Sequence, residues 1–298
     1  YRNYITSVIL RIEYEEKSMF SPHYIISEIR ENLFTPQWWR DRVFVPFAIG
    51  PLTRFYPGYP GYDEAVRVMD EDWDTLVILD ACRADFFEEN VNTERFDAYS
   101  RVVSLGSHSS EWTRRNFKNK QFEDTVYVSA NPHTTLLTNN TFHELVEVWK
   151  EYDLPPNQID PAEIVDIVKQ TTERNPHKRL IVHFMQPHGT GKLVTETENR
   201  VESYRATIPA VTDLVVELTD QLNGKTVITA DHGELFTSGL CAKLGINQHK
   251  SRLRVPELVH VPWAEIDGQR RDITDGEISK SDSDNSTAKQ RLQDLGYV

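Results

Sequence analysis

The sequence predicts an α/β fold, a three-layer sandwich in which helices cover both faces of a mostly parallel central sheet. Four short apolar runs, at residues 75–80, 125–130, 179–184 and 225–231, are typical of strands buried on both faces. Helical patterns lie between these runs, and strands that alternate with helices favour parallel pairing. The chain of 298 residues supplies ample material for the core of such a fold.

The first 72 residues are rich in aromatic residues and proline, and we expect them to form a helical and irregular extension rather than a domain. A serine followed by apolar residues at helical spacing predicts a helix over residues 21–34, and the segment PQWWRDR begins another. The segment FYPGYPGYDE, residues 55–64, is typical of an irregular crossing segment.

Residues 73–267 carry the alternating strands and helices and are the predicted core. Helices are expected over residues 141–152, over residues 161–174 and around residues 199–222, where apolar residues recur at steps of three and four. LVHV, residues 258–261, predicts a further strand. Residues 268–298 form the predicted C-terminal tail, in which the polar, loosely patterned residues 268–291 predict a flexible connector before RLQDLGYV.

The composition excludes some classes of protein. Acidic residues outnumber basic ones 46 to 33, and the net charge of −13 argues against a nucleic-acid partner. No apolar run approaches the roughly 18 residues of a membrane-spanning helix, so no membrane anchor is expected. Two cysteines are too few for a disulfide framework, which makes the reducing cytoplasm the expected location. The oligomeric state is left open.

The balance of basic residues bears on the source of the chain. The 21 arginines outnumber the 12 lysines, and together with the acidic surplus this is similar to proteins of salt-loving archaea. A mildly acidic mesophilic protein is the alternative. Because a negative surface steers anions poorly, a phosphate-like substrate needs a locally positive pocket.

Candidate metal ligands follow three of the four predicted strands. The first strand ends in Asp80, the fourth in Asp231 and His232, and the third is followed closely by His188. Functional groups in open parallel sheets gather beyond the carboxyl ends of the strands. Carboxylates favour Mg²⁺, Mn²⁺ or Ca²⁺, and added histidine moves the preference toward Mn²⁺ or Zn²⁺. Asp80 and Asp231 would alternatively be helix N-caps, but the adjacent His232 favours a metal.

Four segments, ILDACRADFF, SHSSEWTRRNF, HFMQPHGTG and TADHGELF, have the order and rough spacing found in the alkaline phosphatase superfamily and resemble its sulfatase-like branch. The segment HKSRLRVPELVHVPW and the ending RLQDLGYV are similar to the C-terminal parts of archaeal sulfatase-like proteins. The resemblance covers about residues 73–298. It implies an alkaline phosphatase-like fold and a metal-dependent enzyme that acts on phosphate or sulfate esters.

The resemblance also implies a nucleophile and a metal site. Asp80, Asp231 and His232 match the family's metal ligands. The segment SSEWT matches the nucleophile region, and we place the nucleophile at Thr113, which would also bind the metal. Ser110 is the alternative nucleophile, and without the resemblance a capping role for Ser109, Ser110 and Thr113 would gain weight.

Further side chains acquire expected roles from the same resemblance. His249 is expected to bind a second metal or to touch the substrate oxygens, and His188 matches a substrate-contacting histidine. Lys250 and Arg83 are the candidate substrate-binding cations. His183 lies within a predicted strand and is expected to be a satisfied core residue.

The sequence departs from the family in two places. The Cys-x-Pro-Ser-Arg pattern, whose cysteine is the nucleophile precursor of arylsulfatases, is absent, which puts ordinary sulfatase activity in doubt. Cys82 is expected to be a small buried residue, and Cys241 lies downstream of the strands. Phe184 stands where two-metal phosphatases carry an aspartate four residues before the histidine, so a single main metal is the better fit.

The sequence therefore predicts a metal-dependent hydrolase or transferase that acts on a small-molecule or glycan ester of phosphate or sulfate. The cofactor is a divalent ion, with Zn, Mn, Mg and Ca all open. A non-catalytic sulfatase-like protein that binds an anionic glycan or a partner is the alternative from another class. A sugar- or lipid-modifying phosphotransferase is the third.

Overall fold

A computed structural model describes residues 29–30, 32–55, 58–138, 140–236, 246 and 249–279. The chain divides into two compact units, Tyr1–Ile49 and Gly50–Val298. In the first, a short helix at Pro36–Trp39 is followed by a π-helical stretch at Arg40–Ile49. The helix expected over residues 21–34 lies mostly outside the described residues. The expected domain boundary at residue 72 stays a prediction.

The second unit is built on a seven-stranded sheet with the strand order β2-β7-β6-β1-β5-β3-β4. Within this sheet β7 runs antiparallel to its neighbours β6 and β2, and the other neighbouring pairs are parallel. The mostly parallel sheet expected from the sequence is therefore confirmed. The strands are β1 (Thr75–Leu79), β2 (Ala98–Val103), β3 (Phe122–Ser129), β4 (Phe142–Glu147), β5 (Arg179–Phe184), β6 (Thr226–Thr229) and β7 (His260–Ile266).

Helices connect these strands. They are α1 (Ala84–Asn90), α2 (Ser109–Phe117), α3 (Pro132–Leu137), α4 (Pro161–Arg174), α5 (Arg200–Thr219) and α6 (Pro256–Val259). Short helical turns precede and link them at Gly50–Leu52, Thr53–Phe55, Val68–Asp70, Thr93–Arg95, Val148–Lys150 and Pro156–Gln158. Among the described residues, none of the helices combines the length and apolar character needed to cross a bilayer.

The central strand β1 shows why the fold has three layers. Its five side chains are all buried, and successive side chains point to opposite faces. Val77 and Leu79 pack in a core cluster with α4 and α5, whereas Leu76 and Ile78 pack in a second cluster with α2. Burying each such side chain contributes roughly 1.5–3 kcal/mol. The apolar run that predicted the strand is therefore used on both sides of the sheet.

Two expected elements were wrong in type or extent. Residues 141–152, expected as a helix, contain β4, followed by the turn Val148–Lys150. Pairing of β4 with β3 at the sheet edge overrides the helical spacing, because the half-buried edge needs no strict alternation. In the LVHV segment the first residues form α6, and the strand begins only at His260.

The first part of the expected C-terminal tail is hydrogen-bonded to the body of the second unit. The Thr274 amide donates to the His177 carbonyl (3.0 Å), and the Ser279 amide donates to the His143 carbonyl (2.9 Å). The Lys178 ammonium donates to the Thr274 carbonyl at 2.7 Å. Residues 280–298, including the RLQDLGYV ending, lie outside the described residues.

The turn before β6 depends on Gly224. This residue has a φ of +101°, and a Cβ atom there would lie 2.5 Å from the Cβ of buried Asp74. The Asp74 carboxylate accepts a hydrogen bond from the Lys225 amide at 2.8 Å, which fixes the turn against the start of β1. The conformation and the lack of space therefore both require glycine.

We expect Gly224→Ala to lower the free energy of unfolding more than Gly58→Ala, measured by chemical denaturation. Gly58 also has a positive φ (+75°), but the space around its Cβ position is open among the described residues. Backbone strain costs about 1–2 kcal/mol in both variants, and overpacking against Asp74 adds about 1–3 kcal/mol in the first alone. Equal losses in the two variants would contradict the close approach to Asp74.

Candidate metal centre

Two buried carboxylates meet at the carboxyl ends of neighbouring strands. Asp80 follows β1, and Asp231 lies two residues beyond β6, which pairs with β1. His183, near the end of β5 on the other side of β1, completes a group whose ligand atoms lie within 4.8 Å of one another. All three side chains are fully buried. We call Asp80, His183 and Asp231 the primary cluster.

Each member of the primary cluster has a buried atom without a hydrogen-bond partner among the described residues. These atoms are Asp80 Oδ1, Asp231 Oδ2 and His183 Nε2. The protein holds the other carboxylate oxygens: Asn131 Nδ2 donates to Asp80 Oδ2 (2.7 Å), and the Ala81 amide donates to Asp231 Oδ1 (3.1 Å). Because an uncompensated buried charge is costly, this arrangement fits a bound cation.

His232 and Ser109 add two more ligand atoms beside the carboxylates. His232 Nδ1 lies 2.7 Å from the Gly233 carbonyl, which can only accept, so Nδ1 carries the proton and Nε2 keeps its lone pair. His232 Nε2 lies 3.4 Å from Asp231 Oδ2 and 3.1 Å from Ser109 Oγ. Ser109 Oγ in turn lies 3.4 Å from Asp80 Oδ2.

These separations fit a small divalent ion. Ligand atoms bound at 2.0–2.2 Å in tetrahedral geometry lie roughly 3.3–3.6 Å from one another. The separations of His232 Nε2 from Asp231 Oδ2 (3.4 Å) and of Ser109 Oγ from Asp80 Oδ2 (3.4 Å) have this spacing, and that of His232 Nε2 from Ser109 Oγ (3.1 Å) is slightly shorter. The residues present can therefore hold Zn²⁺ or Mn²⁺, as their chemistry also suggests.

The surrounding charges keep Asp80 ionised. Burial alone would raise the pKa of its carboxyl group, but the nearby His183 (Nε2 3.4 Å from Asp80 Oδ2), His232 and His188 outweigh burial and hold that pKa well below its ordinary value. Asp80 is therefore an anion at neutral pH, as a metal ligand must be.

The backbone around the two carboxylates is shaped to present them. Ala81 adopts a left-handed conformation (φ +60°), and its carbonyl accepts a hydrogen bond from Tyr204 Oη at 2.7 Å. At Gly233 a Cβ atom would collide with the Glu257 carbonyl, and the Gly233 amide donates to the Leu258 carbonyl at 2.8 Å. The glycine after Asp231 and His232 thus allows the chain to pass close to α6, while the strained Ala81 lies directly at the site.

The three candidate hydroxyls of the nucleophile region occupy different environments. Ser109 is the first residue of α2, and its hydroxyl contacts Asp80 and His232. Ser110 Oγ instead lies 2.9 Å from Nδ1 of His108, the N-cap residue. Thr113 lies one turn further along α2, where its buried hydroxyl has no hydrogen-bond partner among the described residues. No contact described for Thr113 reaches the carboxylates.

His188, Glu234 and His249 form a second cluster beside the first. The Glu234 carboxylate is fully buried, and its Oε2 lies 3.4 Å from His188 Nδ1 and 3.5 Å from His249 Nδ1. Arg200 also reaches this oxygen, at 2.6 Å. The rings of His232 and His249 are 4.6 Å apart, so the two clusters are neighbours.

The groups of the second cluster shift one another's titration. Burial opposes the charge on Glu234, but the charge of His249 and the hydrogen bonds from both histidines hold its pKa well below the ordinary value. Burial likewise lowers the pKa of His188, but the hydrogen bond to Glu234 and the charge of Asp80 raise it overall. The pKa of His249 is lowered, chiefly by burial.

Two more histidines lie beside the clusters. The ring of His108 is 5.1 Å from that of His133 and 5.0 Å from that of His249. Because His108 Nδ1 accepts from the Ser110 amide (3.1 Å), the neutral ring carries its proton on Nε2 and can donate there. Burial lowers the pKa of His133 to about 3, and burial, with the neighbouring histidines, also keeps the pKa of His108 low.

The two cations expected to bind substrate have different surroundings. Both Nε and Nη2 of Arg83 donate to the Asp85 carboxylate (2.9 and 2.5 Å), and Nη1 donates to the Glu234 carbonyl (3.2 Å). Arg83 therefore holds the backbone carbonyl of Glu234 in place next to the site. Lys250 follows His249, and its backbone carbonyl accepts a hydrogen bond from Ser107 Oγ at 2.8 Å. The positive charge of the Lys250 side chain lowers the pKa of His108. Cys82 is buried, as expected, and Cys241 lies outside the described residues.

Sequence reasoning missed four residues of the site. Asn131 follows β3 as Asp231 follows β6, so the rule about strand ends would have found it. Glu234 lies three residues after Asp231 in the same segment. Its contact with His188 and His249 is visible only in the folded structure, because the histidines are distant in sequence. His183, expected to be a satisfied core residue, directs Nε2 at the carboxylates (3.4 Å from Asp80 Oδ2) while Nδ1 pairs with Tyr127. Ser109 was passed over for its neighbours.

No protein-family model matches this chain. No curated protein matches it either. The chain is similar to the crystal structure of the soluble domain of lipooligosaccharide phosphoethanolamine transferase A from Neisseria meningitidis. The two share 13% identity over 64% of this chain and 75% of that chain, with a TM-score of 0.46. The chain is also similar to that transferase as an integral membrane protein, with 14% identity, 90% of this chain and 63% of that chain covered, and a TM-score of 0.49.

A third similar structure is a protein in the alkaline phosphatase superfamily from Vibrio parahaemolyticus, with 12% identity, 73% of this chain and 64% of that chain covered, and a TM-score of 0.43.

One buried carboxylate ties the loop before α2 to the loop that carries His249. Glu111 Oε2 accepts from the Ser107 amide (3.2 Å), from Ser107 Oγ (3.0 Å) and from the Arg252 amide (3.0 Å). Its Oε1 accepts from Tyr62 Oη (2.7 Å) and Arg115 Nε (3.1 Å). Glu111 therefore fixes the start of α2, and with it Ser109, relative to the chain around residue 250.

We expect Glu111→Gln to lower the free energy of unfolding by about 2–4 kcal/mol, because an amide has only one acceptor oxygen and leaves buried donors unsatisfied. Glu88→Gln is the matched control: Glu88 pairs with Arg101 at a far more exposed position, so about 0–1 kcal/mol is expected. Denaturant unfolding of both variants measures the difference. Losses of equal size would show that Glu111 does not connect the two loops.

Proposed function

We propose that this chain is a metal-dependent phosphoester hydrolase or transferase of the alkaline phosphatase type, and that Ser109 replaces Thr113 as its nucleophile. One observation carries the proposal. The Ser109 hydroxyl lies at the N-terminus of α2, 3.1 Å from His232 Nε2 and 3.4 Å from Asp80 Oδ2, beside a cluster with three unpartnered ligand atoms. Thr113 shows none of these contacts.

Asp80, Asp231, His232 and Ser109 would hold the divalent ion, with His183 next to them. When bound, the ion offsets the two buried carboxylates and lowers the pKa of the coordinated hydroxyl, which makes it a nucleophile near neutral pH. Zn²⁺ and Mn²⁺ are the preferred ions, because the ligands combine carboxylates with imidazole.

Ser109 would attack phosphorus in line. The bond from Oγ to phosphorus forms as the bond to the leaving oxygen breaks; the hydroxyl proton is lost to solvent, and the leaving oxygen takes up a proton from solvent as the alcohol departs. Water or an acceptor hydroxyl then attacks the phosphoserine, and Ser109 recovers its proton as phosphate or the transferred product departs. The nine-residue helix α2 begins at the attacking residue, so its dipole favours the anionic phosphoryl group there.

His108 would donate to the phosphoryl oxygens, with His188 and His249 beside it. His108 presents an Nε2–H donor, because its Nδ1 is engaged by the Ser110 amide. His188 and His249 are held by Glu234, which keeps their rings beside the primary cluster. The divalent ion, when bound, would supply the local positive charge that an anionic substrate needs in a chain with a net charge of −13.

Phosphate esters are favoured over sulfate esters. The cysteine motif from which arylsulfatases generate their nucleophile is absent from the sequence, and a serine hydroxyl stands beside the ligands instead. A small-molecule or glycan ester is the proposed substrate class.

Replacing Ser109 by Ala is expected to lower kcat at least about 10³-fold with an aryl phosphate or phosphodiester and added Mn²⁺ or Zn²⁺, because the nucleophile is removed. Thr113→Val is the matched control: it removes a hydroxyl that has no described hydrogen bond and keeps the shape of the side chain, so activity within about tenfold of wild type is expected. Mass spectrometry of the trapped enzyme should locate a phosphoryl group on Ser109.

The reverse pattern, with Thr113→Val inactive and Ser109→Ala active, would restore Thr113 as the nucleophile. An inactive wild-type protein with every ester and ion would favour the non-catalytic, ligand-binding alternative.

A further inference from the structure

The second cluster already contains a cation. Oε2 of the buried Glu234 carboxylate lies 2.6 Å from the Arg200 guanidinium, and the same oxygen lies between His188 Nδ1 (3.4 Å) and His249 Nδ1 (3.5 Å). The guanidinium therefore occupies one of the directions from which a metal ion would approach this carboxylate.

The two clusters differ in the number of carboxylates and therefore in the cation that balances them. The primary cluster has two carboxylates, and a dication balances it. The second has a single carboxylate, Glu234, whose charge the Arg200 guanidinium balances. A dication bound to the same oxygen would repel the guanidinium at close range, in surroundings where water screens little. Although the three ligand atoms have the spacing of a metal site, the cluster in this arrangement does not favour a second divalent ion.

The position of Arg200 in its helix points the same way. It is the first residue of α5, where the helix dipole disfavours a positive charge. The cap does not need it, because the Asn199 side chain accepts from the Val201 amide at 3.1 Å. Half of its side chain is exposed, whereas its partner Glu234 is fully buried. Helix stability thus gives no reason for this arginine, and the contact with Glu234 does.

We propose that Arg200 is a built-in monovalent cation for the His188–Glu234–His249 cluster, taking the place of a second divalent ion. The idea rests on the proposed function only in assuming that the primary cluster binds an ion. With Arg200 in place, the Glu234 charge is met without a metal, and His188 and His249 keep their contacts with Glu234. The enzyme would therefore use one divalent ion and one guanidinium.

The test is the number of divalent ions bound per chain. Wild type, Arg200→Ala and Arg205→Ala are loaded with Zn²⁺, desalted and measured by elemental analysis. Arg205→Ala is the control, because Arg205 lies in the same helix but pairs with Glu89. Wild type and Arg205→Ala should retain one ion, and Arg200→Ala two. In Arg200→Lys the positive charge persists, and one ion is expected. Adding Glu234→Gln to Arg200→Ala should remove the gained ion.

Two results would overturn the proposal: two ions in wild type, or no difference between Arg200→Ala and wild type. If Arg200→Ala fails to fold, the folded Arg200→Lys variant and wild type still decide, because two ions in either contradicts a resident monovalent cation. The proposed function fails separately. A wild-type protein without any ion would refute the primary cluster as a metal site, whereas the difference between wild type and Arg200→Ala tests Arg200 alone.

Discussion

Two buried negative charges are the constraint on which the rest of the site depends. Asp80 and Asp231 are fully buried at the ends of adjacent strands, and each keeps one oxygen without a hydrogen-bond partner among the described residues. A fold that buried this pair with nothing between them would lose stability, since unpaired charges are costly in the interior. A shared cation resolves the conflict, and the unpartnered nitrogen of His183 beside them is a third group that a cation would satisfy.

The order of the strands brings this pair and its neighbours together. Parallel strands β6, β1, β5 and β3 lie side by side, so the residues that follow them meet at one edge of the sheet. The left-handed Ala81 and the close approach at Gly233 then turn the chain away from the site. Helix α2 brings Ser109 to the same edge, and Glu111 holds that helix start in place. The chemistry therefore follows from the order of the strands together with a few local backbone requirements.

Much of the fold, but only part of the site, was predictable from the sequence. Strands β1, β3, β5 and β6 are apolar runs because both of their faces are buried, and α4 coincides with the helix expected over residues 161–174. The edge strands β2 and β4 are half-buried, so their patterns are weak. Asp80 and Asp231 were identifiable as strand ends. Ser109 was not, because several hydroxyls lie within one turn and an unusual cap, His108, decides where the helix begins.

The central claim is that one divalent ion lies between Asp80 and Asp231. Anomalous scattering from crystals of the protein grown with Mn²⁺ or Zn²⁺, recorded on either side of the absorption edge of that metal, tests this most directly. A strong peak is expected in contact with Asp80 Oδ1, Asp231 Oδ2 and His232 Nε2, with Ser109 Oγ as a further ligand. A map without a peak there, in which water or a side-chain donor satisfies both carboxylates, would contradict this claim.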